Sequence, residues 1–158
     1  MTLIKKTLGV TVLSAVLMSS ALSADNTKVG VGYSGVYYGN YIQGISARGW
    51  IDAIGVEAII GNFKMDNVNS NFYSAKAMYA PIIHDHSKFY IGLEGGIATS
   101  SDSESNIKMI RPFFGSEYSF QEIPELGFSW EAGYMRSTVD GNNALSGTTV
   151  SIGMHYYF

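Results

Sequence analysis

Two groups of residues in this 158-residue chain are of the kinds that do chemistry. The first is His84-Asp85-His86-Ser87, with the remaining histidine, His155, near the end of the chain. Two histidines at i and i+2 share a side of an extended chain, an arrangement that suits a metal ion, and a serine beside an imidazole is the start of a nucleophile and base pair. A metal needs a third ligand, and His155 belongs to a strand expected far around the sheet from the segment holding the other two. Asp and Ser are ordinary turn residues, so the tetrapeptide reads as a turn, and no catalytic, metal or cofactor-binding residue is assigned. Gly30, Gly32 and Gly35 are too close to a strand pattern, with no helix after them, to form a phosphate loop. The second group is the set of charges Arg48, Glu57, Lys76, Glu94, Arg111, Glu117 and Glu131, each in the middle of an otherwise apolar or small-residue segment.

Those segments alternate with period two. Strands are expected near 28–37, 41–51, 54–63, 72–83, 87–98, 108–120, 126–136 and 148–158, and no segment after Ala24 sustains the i, i+3, i+4, i+7 spacing of a helix. Eighteen glycines with eleven tyrosines and eight phenylalanines suit pleated strands punctuated by tight spots. The last strand alternates Val150, Ile152, Met154, Tyr156 and Phe158 with Thr149, Ser151, Gly153, His155 and Tyr157. Strands one and four alternate less cleanly, with Met78 and Ile82 on the polar side of the fourth.

Placing each strand by its apolar side sends all seven charges to the other side. If Asp52-Ala53 is a two-residue turn, Arg48 faces Glu57 directly; if His84 to His86 is a three-residue turn, Lys76 faces Glu94. These charges are therefore expected to form a structural network in a polar interior. Connections alternate between short turns at 52–53, 84–86 and 121–125 and polar loops at 64–71, 99–107 and 137–147, with a shorter one near Gly39-Asn40. An even number of strands then brings both termini to one end.

The start of the chain has Lys5 and Lys6, an apolar run from Leu8 to Met18, and then Ser19, Ser20, Ala21, Ser23 and Ala24. This is the pattern of a cleavable signal peptide, too short to span a bilayer, and it assigns 1–24 to the signal and 25–158 to a single domain. Without Lys5 and Lys6 the ten basic residues become eight, against thirteen acidic ones, a formal net charge of −5 that argues against nucleic acid as a partner. With no cysteine, an exported fold must be held by burial and backbone pairing alone.

Signal peptide, eight amphipathic strands, paired charges within and a terminal Tyr156-Tyr157-Phe158 together resemble the small eight-stranded outer-membrane β-barrels of the OmpA/OmpX type. The resemblance covers the whole mature chain. It implies an all-β, eight-stranded antiparallel up-and-down transmembrane β-barrel in the cell outer membrane of a Gram-negative bacterium. It also implies outer-membrane lipids as surroundings, and Val150, Ile152, Met154, Tyr156 and Phe158 as the signal recognised by the barrel assembly machinery. Trp50, Trp130 and the many tyrosines fit an interface girdle or lumen packing. Barrels of eight strands are filled by side chains, so the expected role is structural or interactive at the cell surface, without cofactor and without enzymatic activity. The outer loops are short and name no surface partner. The alternative is a narrow porin-like channel for small solutes or ions; further rivals are a lipid A-modifying enzyme and a secreted soluble barrel.

Overall fold

The computed structural model describes residues 27–38, 40–65, 68–100, 106–139 and 142–158; the expected signal peptide lies outside these residues. The described residues form eight strands: β1 (Thr27–Tyr38), β2 (Asn40–Ile51), β3 (Ile54–Met65), β4 (Val68–His84), β5 (Ser87–Ser100), β6 (Asn106–Phe120), β7 (Ile123–Val139) and β8 (Asn142–Tyr157). Each pairs antiparallel with the next, and β8 pairs back onto β1, so the sheet closes and leaves no edge. The last link is Phe158 N–H donating to Val29 C=O at 2.9 Å.

Alternation is why these segments pair in this register, since a slip of one residue would send every charge to the outside. Ile45, Val56, Ile91, Leu93, Phe128, Trp130, Val150 and Ile152 face outward, and Arg48, Glu57, Glu94, Ser129, Glu131 and Ser151 face in. The Asp52-Ala53 turn has the expected two residues, with Asp52 at φ 52°, a left-handed conformation that aspartate enters at low cost.

Two of the turns and the loops at the other end differ from expectation. The turn between β4 and β5 is two residues, Asp85-His86, with His84 opposite Ser87. Lys76 nevertheless stands opposite Glu94, because β4 carries one extra residue between Tyr79 and Ile82. That bulge, containing Pro81, also explains the untidy fourth strand: Ile82 lies beyond it and faces out, while Met78 lies before it and is buried inside. The 121–125 turn shrinks to Gln121-Glu122, with an irregular start to β7 around Pro124, which has no N–H for the ladder. At the other end the strands run into the expected loops, so that Met65 pairs with Val68 and Val139 with Asn142. The polar Asn, Ser and Thr residues there read as loop, but in a hairpin standing in water they pair as readily as any others. The strands of 12 to 17 residues consequently exceed the roughly 9–11 needed to cross a bilayer.

The interior has three layers. Nearest the termini, Trp50, Met78, Ala80, Tyr90, Phe113 and Tyr157 form an apolar cluster. The charged residues come next, and beyond them Ile59, Phe72 and Ala98 pack with Ile42, Ile107 and Met109. These apolar inward residues have the same parity as the charges, and strand patterning had not singled them out as a core. Glycines make room for the large rings: a Cβ on Gly55 would lie 2.6 Å from the Trp50 ring, and one on Gly92 would lie 2.5 Å from Phe113. Trp50 then meets Tyr90 edge-on at 5.5 Å between centroids, and Tyr90 meets Phe113 at 6.3 Å. Such pairs are worth about 0.5–1.5 kcal/mol each beyond their burial.

Candidate functional site: the charged layer of the lumen

All seven sequence-selected charges point inward and are buried, five of them at 2% exposure or less. They come from six strands, β2 to β7, and meet across the barrel. Glu131 is the centre: Lys76 Nζ lies 3.0 Å from both of its oxygens, Arg48 Nη2 is 3.3 Å from Oε1, and Arg111 Nη2 donates to Oε2. Ser151 Oγ donates to the same oxygen at 2.8 Å, and Tyr90 OH to Oε1 at 3.3 Å.

Arg48 spreads its guanidinium over three carboxylates. Its Nη2 is 2.7 Å from Glu57 Oε2 and its Nη1 2.8 Å from Glu117 Oε2. Glu117 also accepts from Tyr157 OH at 2.6 Å and has Lys88 Nζ at 3.6 Å. Arg111 Nε donates to Glu94 Oε2 at 2.8 Å. The planar guanidinium suits such multiple contacts, since its donors radiate in fixed directions.

Lys76 and Glu94 are opposed in register, as the sequence implied, but they are not each other's main partners. The ammonium reaches past its neighbour to Glu131 and to Glu57 Oε2 at 3.1 Å, while Glu94 is held by Arg111. A side chain inside a closed barrel meets every strand at once, so cross-strand register alone does not choose its partner. Counting Lys88, four cations face four carboxylates, which is the balance a low-dielectric interior demands. Cation–ring contacts add to it: Lys88 Nζ is 4.3 Å from the Trp50 ring centroid, and Arg111 Cζ is 4.8 Å from that of Phe113.

The residue that sequence reasoning undervalued is His155. It is fully buried, and its Nε2 lies 2.7 Å from Ser46 Oγ and 3.3 Å from Glu57 Oε1. Closure of β8 onto β1 brings it beside β2 and β3, from which it is distant in sequence, while it stays away from His84 and His86 as expected. Its position on the inward side of the last strand was the available signal. Serine, histidine and glutamate together suggest a catalytic relay, but the geometry differs from one. A relay needs the carboxylate on the nitrogen opposite the serine, whereas here both partners approach Nε2, Glu57 Oε1 makes no hydrogen bond there, and Nδ1 has no protein partner. Apolar clusters also lie on either side of the charged layer. His84 ends β4 and Asp85 and His86 form the turn at the terminus end, and among the described residues no group of three or more His, Asp or Glu converges to hold a metal.

The terminal residues Val150, Ile152, Met154, Tyr156 and Phe158 all face outward, with Phe158 at 75% exposure. Large outward aromatics gather near the same end on neighbouring strands, among them Phe114 with Trp130 and Phe120 with Phe128. An apolar exterior of this extent requires hydrocarbon around it.

No family model and no curated protein matches the chain. Among solved structures it is similar to the Neisserial surface protein A, at 19% identity over 84% of this chain and 96% of that one, with a TM-score of 0.53. Outer membrane protein H of P. aeruginosa is similar at 16% identity, 84% and 99% coverage and a TM-score of 0.47. Ail of Yersinia pestis is similar at 15% identity, 84% and 97% coverage and a TM-score of 0.45. With an apolar exterior around an ionic interior, the chain has the fold of an eight-stranded transmembrane β-barrel, which it shares with the first of these.

Proposed function

We propose that this integral outer-membrane barrel has a structural or cell-surface interaction role and is neither a pore nor an enzyme. The observation that carries this reading is the cross-linked lumen. Arg48, Lys76 and Arg111 join carboxylates on opposite walls, and apolar clusters lie on both sides of that layer. A solute would have to displace two apolar clusters and separate buried ion pairs to pass. The Ser46–His155–Glu57 contact supports a structural part for His155, because it lacks the directional relay that activates a serine.

In this reading residues 1–24 are the export signal, the termini lie on the periplasmic side, and the hairpin ends opposite them face outward. The outward row Val150, Ile152, Met154, Tyr156 and Phe158 is the signal read by the assembly machinery. Planar-bilayer recordings on the purified chain test the role: no conductance above the bare membrane is expected, and steady ion-selective openings would establish the narrow channel instead. Mass spectrometry of lipid A from cells with and without the protein tests the enzymatic rival, and an unchanged spectrum is expected.

A further inference from the structure

Through the bilayer the wall of the barrel has no edge, but closure stops at the pair Tyr37 and Val150. There β1 ends at Tyr38 and the chain turns back into β2, whereas β8 starts at Asn142, well beyond that level. Above Val150, β8 has β7 on one side and, among the described residues, no strand on the other. The register shift between Ser137 and Thr138 interrupts the first part of this stretch, which leaves Leu145 to Thr149 as a regular run.

The backbone groups that this run offers can be assigned. Residues of an antiparallel strand direct both N–H and C=O to one neighbour and then to the other, in alternation. Phe158 N–H reaches Val29 on β1, and Leu145 C=O is reached by Ser137 Oγ from β7, so even-numbered residues of β8 address the β1 side. Beyond Val150 these are Ser146 and Thr148, which face the open side. Edges are ordinarily blunted by lysine, proline or inward charges, and Leu145-Ser146-Gly147-Thr148-Thr149 has none of them. Ser146 and Thr148 expose hydroxyls on the outer face; Leu145, half exposed, shares the other face with Gly147, which offers a position without a side chain. Arg136 stands opposite Ser146 and Asp140 follows on the same hairpin, two opposite signs that together favour no charged partner.

We propose that this edge of β8 accepts an extended, uncharged peptide segment of another protein as an added strand. Its backbone bonds to Ser146 and Thr148, its outward side chains are polar, and an apolar one lies over Gly147 against Leu145. A second copy fits less well, because a two-fold axis along the membrane normal would bring the two β8 strands together parallel, the weaker pairing. The site rests on the cell-surface reading, since only with the termini inside does this end of β8 stand outside.

The test uses the mature chain in phosphatidylcholine nanodiscs and a peptide of about seven residues, alternating threonine and valine around a central phenylalanine. N-methylation at every second residue leaves it one edge to pair with; methylation at every residue gives the control. Amide hydrogen exchange followed by NMR is the readout. The one-edged peptide is expected to slow exchange of the Ser146 N–H roughly tenfold, the protection of one added hydrogen bond, and the control to leave it unchanged. Ser146→Pro removes a donor that β7 does not use, so this variant should insert and bind the peptide roughly tenfold more weakly, while Ser146→Ala binds as wild type does. No protection in wild type, equal protection by the control peptide, or undiminished binding by an inserted Ser146→Pro would each overturn the docking edge. If Ser146→Pro does not insert, the two peptides on wild type decide by themselves. Protection of Ser146 that grows with barrel density in the absence of peptide would overturn it in favour of a second copy. Failure of Ser146→Cys to label on intact cells, with peptide binding retained by the purified chain, is a different result and would remove the cell-surface reading instead.

Discussion

Lys76 on β4 and Glu131 on β7 meet across the full width of the barrel, with Nζ 3.0 Å from each carboxylate oxygen and both side chains buried. Neither strand touches the other in the sheet order, so the contact exists only because the sheet is closed. It ties opposite walls of the barrel together, and the energetic consequences are testable.

Glu131 serves three cations and Glu94 serves one, so the two carboxylates should differ in what their loss costs. Glu131→Gln leaves Lys76, Arg48 and Arg111 short of negative charge in a buried place, where breaking a pair costs about 3–5 kcal/mol. Glu94→Gln should cost less. Urea unfolding in detergent micelles checks the ranking, and equal midpoints for the two variants would contradict the central place of Glu131.

The outer wall should refuse charge. Leu93 faces outward in mid-strand, between Ala77 and Pro112. Leu93→Arg is expected to cost about 2–4 kcal/mol in lipid vesicles, read as a lowered folding midpoint. Leu93→Ala should be much milder, and an arginine tolerated without effect would mean that hydrocarbon does not touch this face.

Gly55 is required by Trp50. A methyl group placed 2.6 Å from the indole forces the ring or the strand to move, an overpacking that costs about 1–3 kcal/mol. Gly55→Ala should therefore lower the unfolding temperature of the folded band, and adding Trp50→Leu should recover part of the loss. Independent, additive effects would show that the two residues do not share this space.

Pro81 is the extra residue of the β4 bulge, so its deletion should leave Lys76 opposite Glu94 and the barrel foldable. Deleting Ala77 instead shifts Lys76 by one position and turns it towards lipid, and no folded band is expected. Gel migration before and after heating separates the two outcomes.

Much of the fold was legible because membrane barrels use the simplest sequence code, a period of two with opposite environments on the two sides. That code located eight strands, the inward direction of seven charges and the Arg48–Glu57 opposition. It was blind where one residue changes the count, as at Pro81, where two departures from the expected hairpin, a shorter turn and a bulge, cancelled at Lys76. It also missed the upper ends of β3 to β8, since polar residues that pair in water look like loop.

What the chain determines by itself is which side of each strand faces hydrocarbon, because desolvation acts on every side chain separately and leaves its mark at every second position. Only closure decides partners. Lys76 reaches Glu131, His155 reaches Ser46, and Ile59 packs with Phe72, because the radius of eight strands brings opposite walls within the length of a side chain, a distance that no one strand encodes.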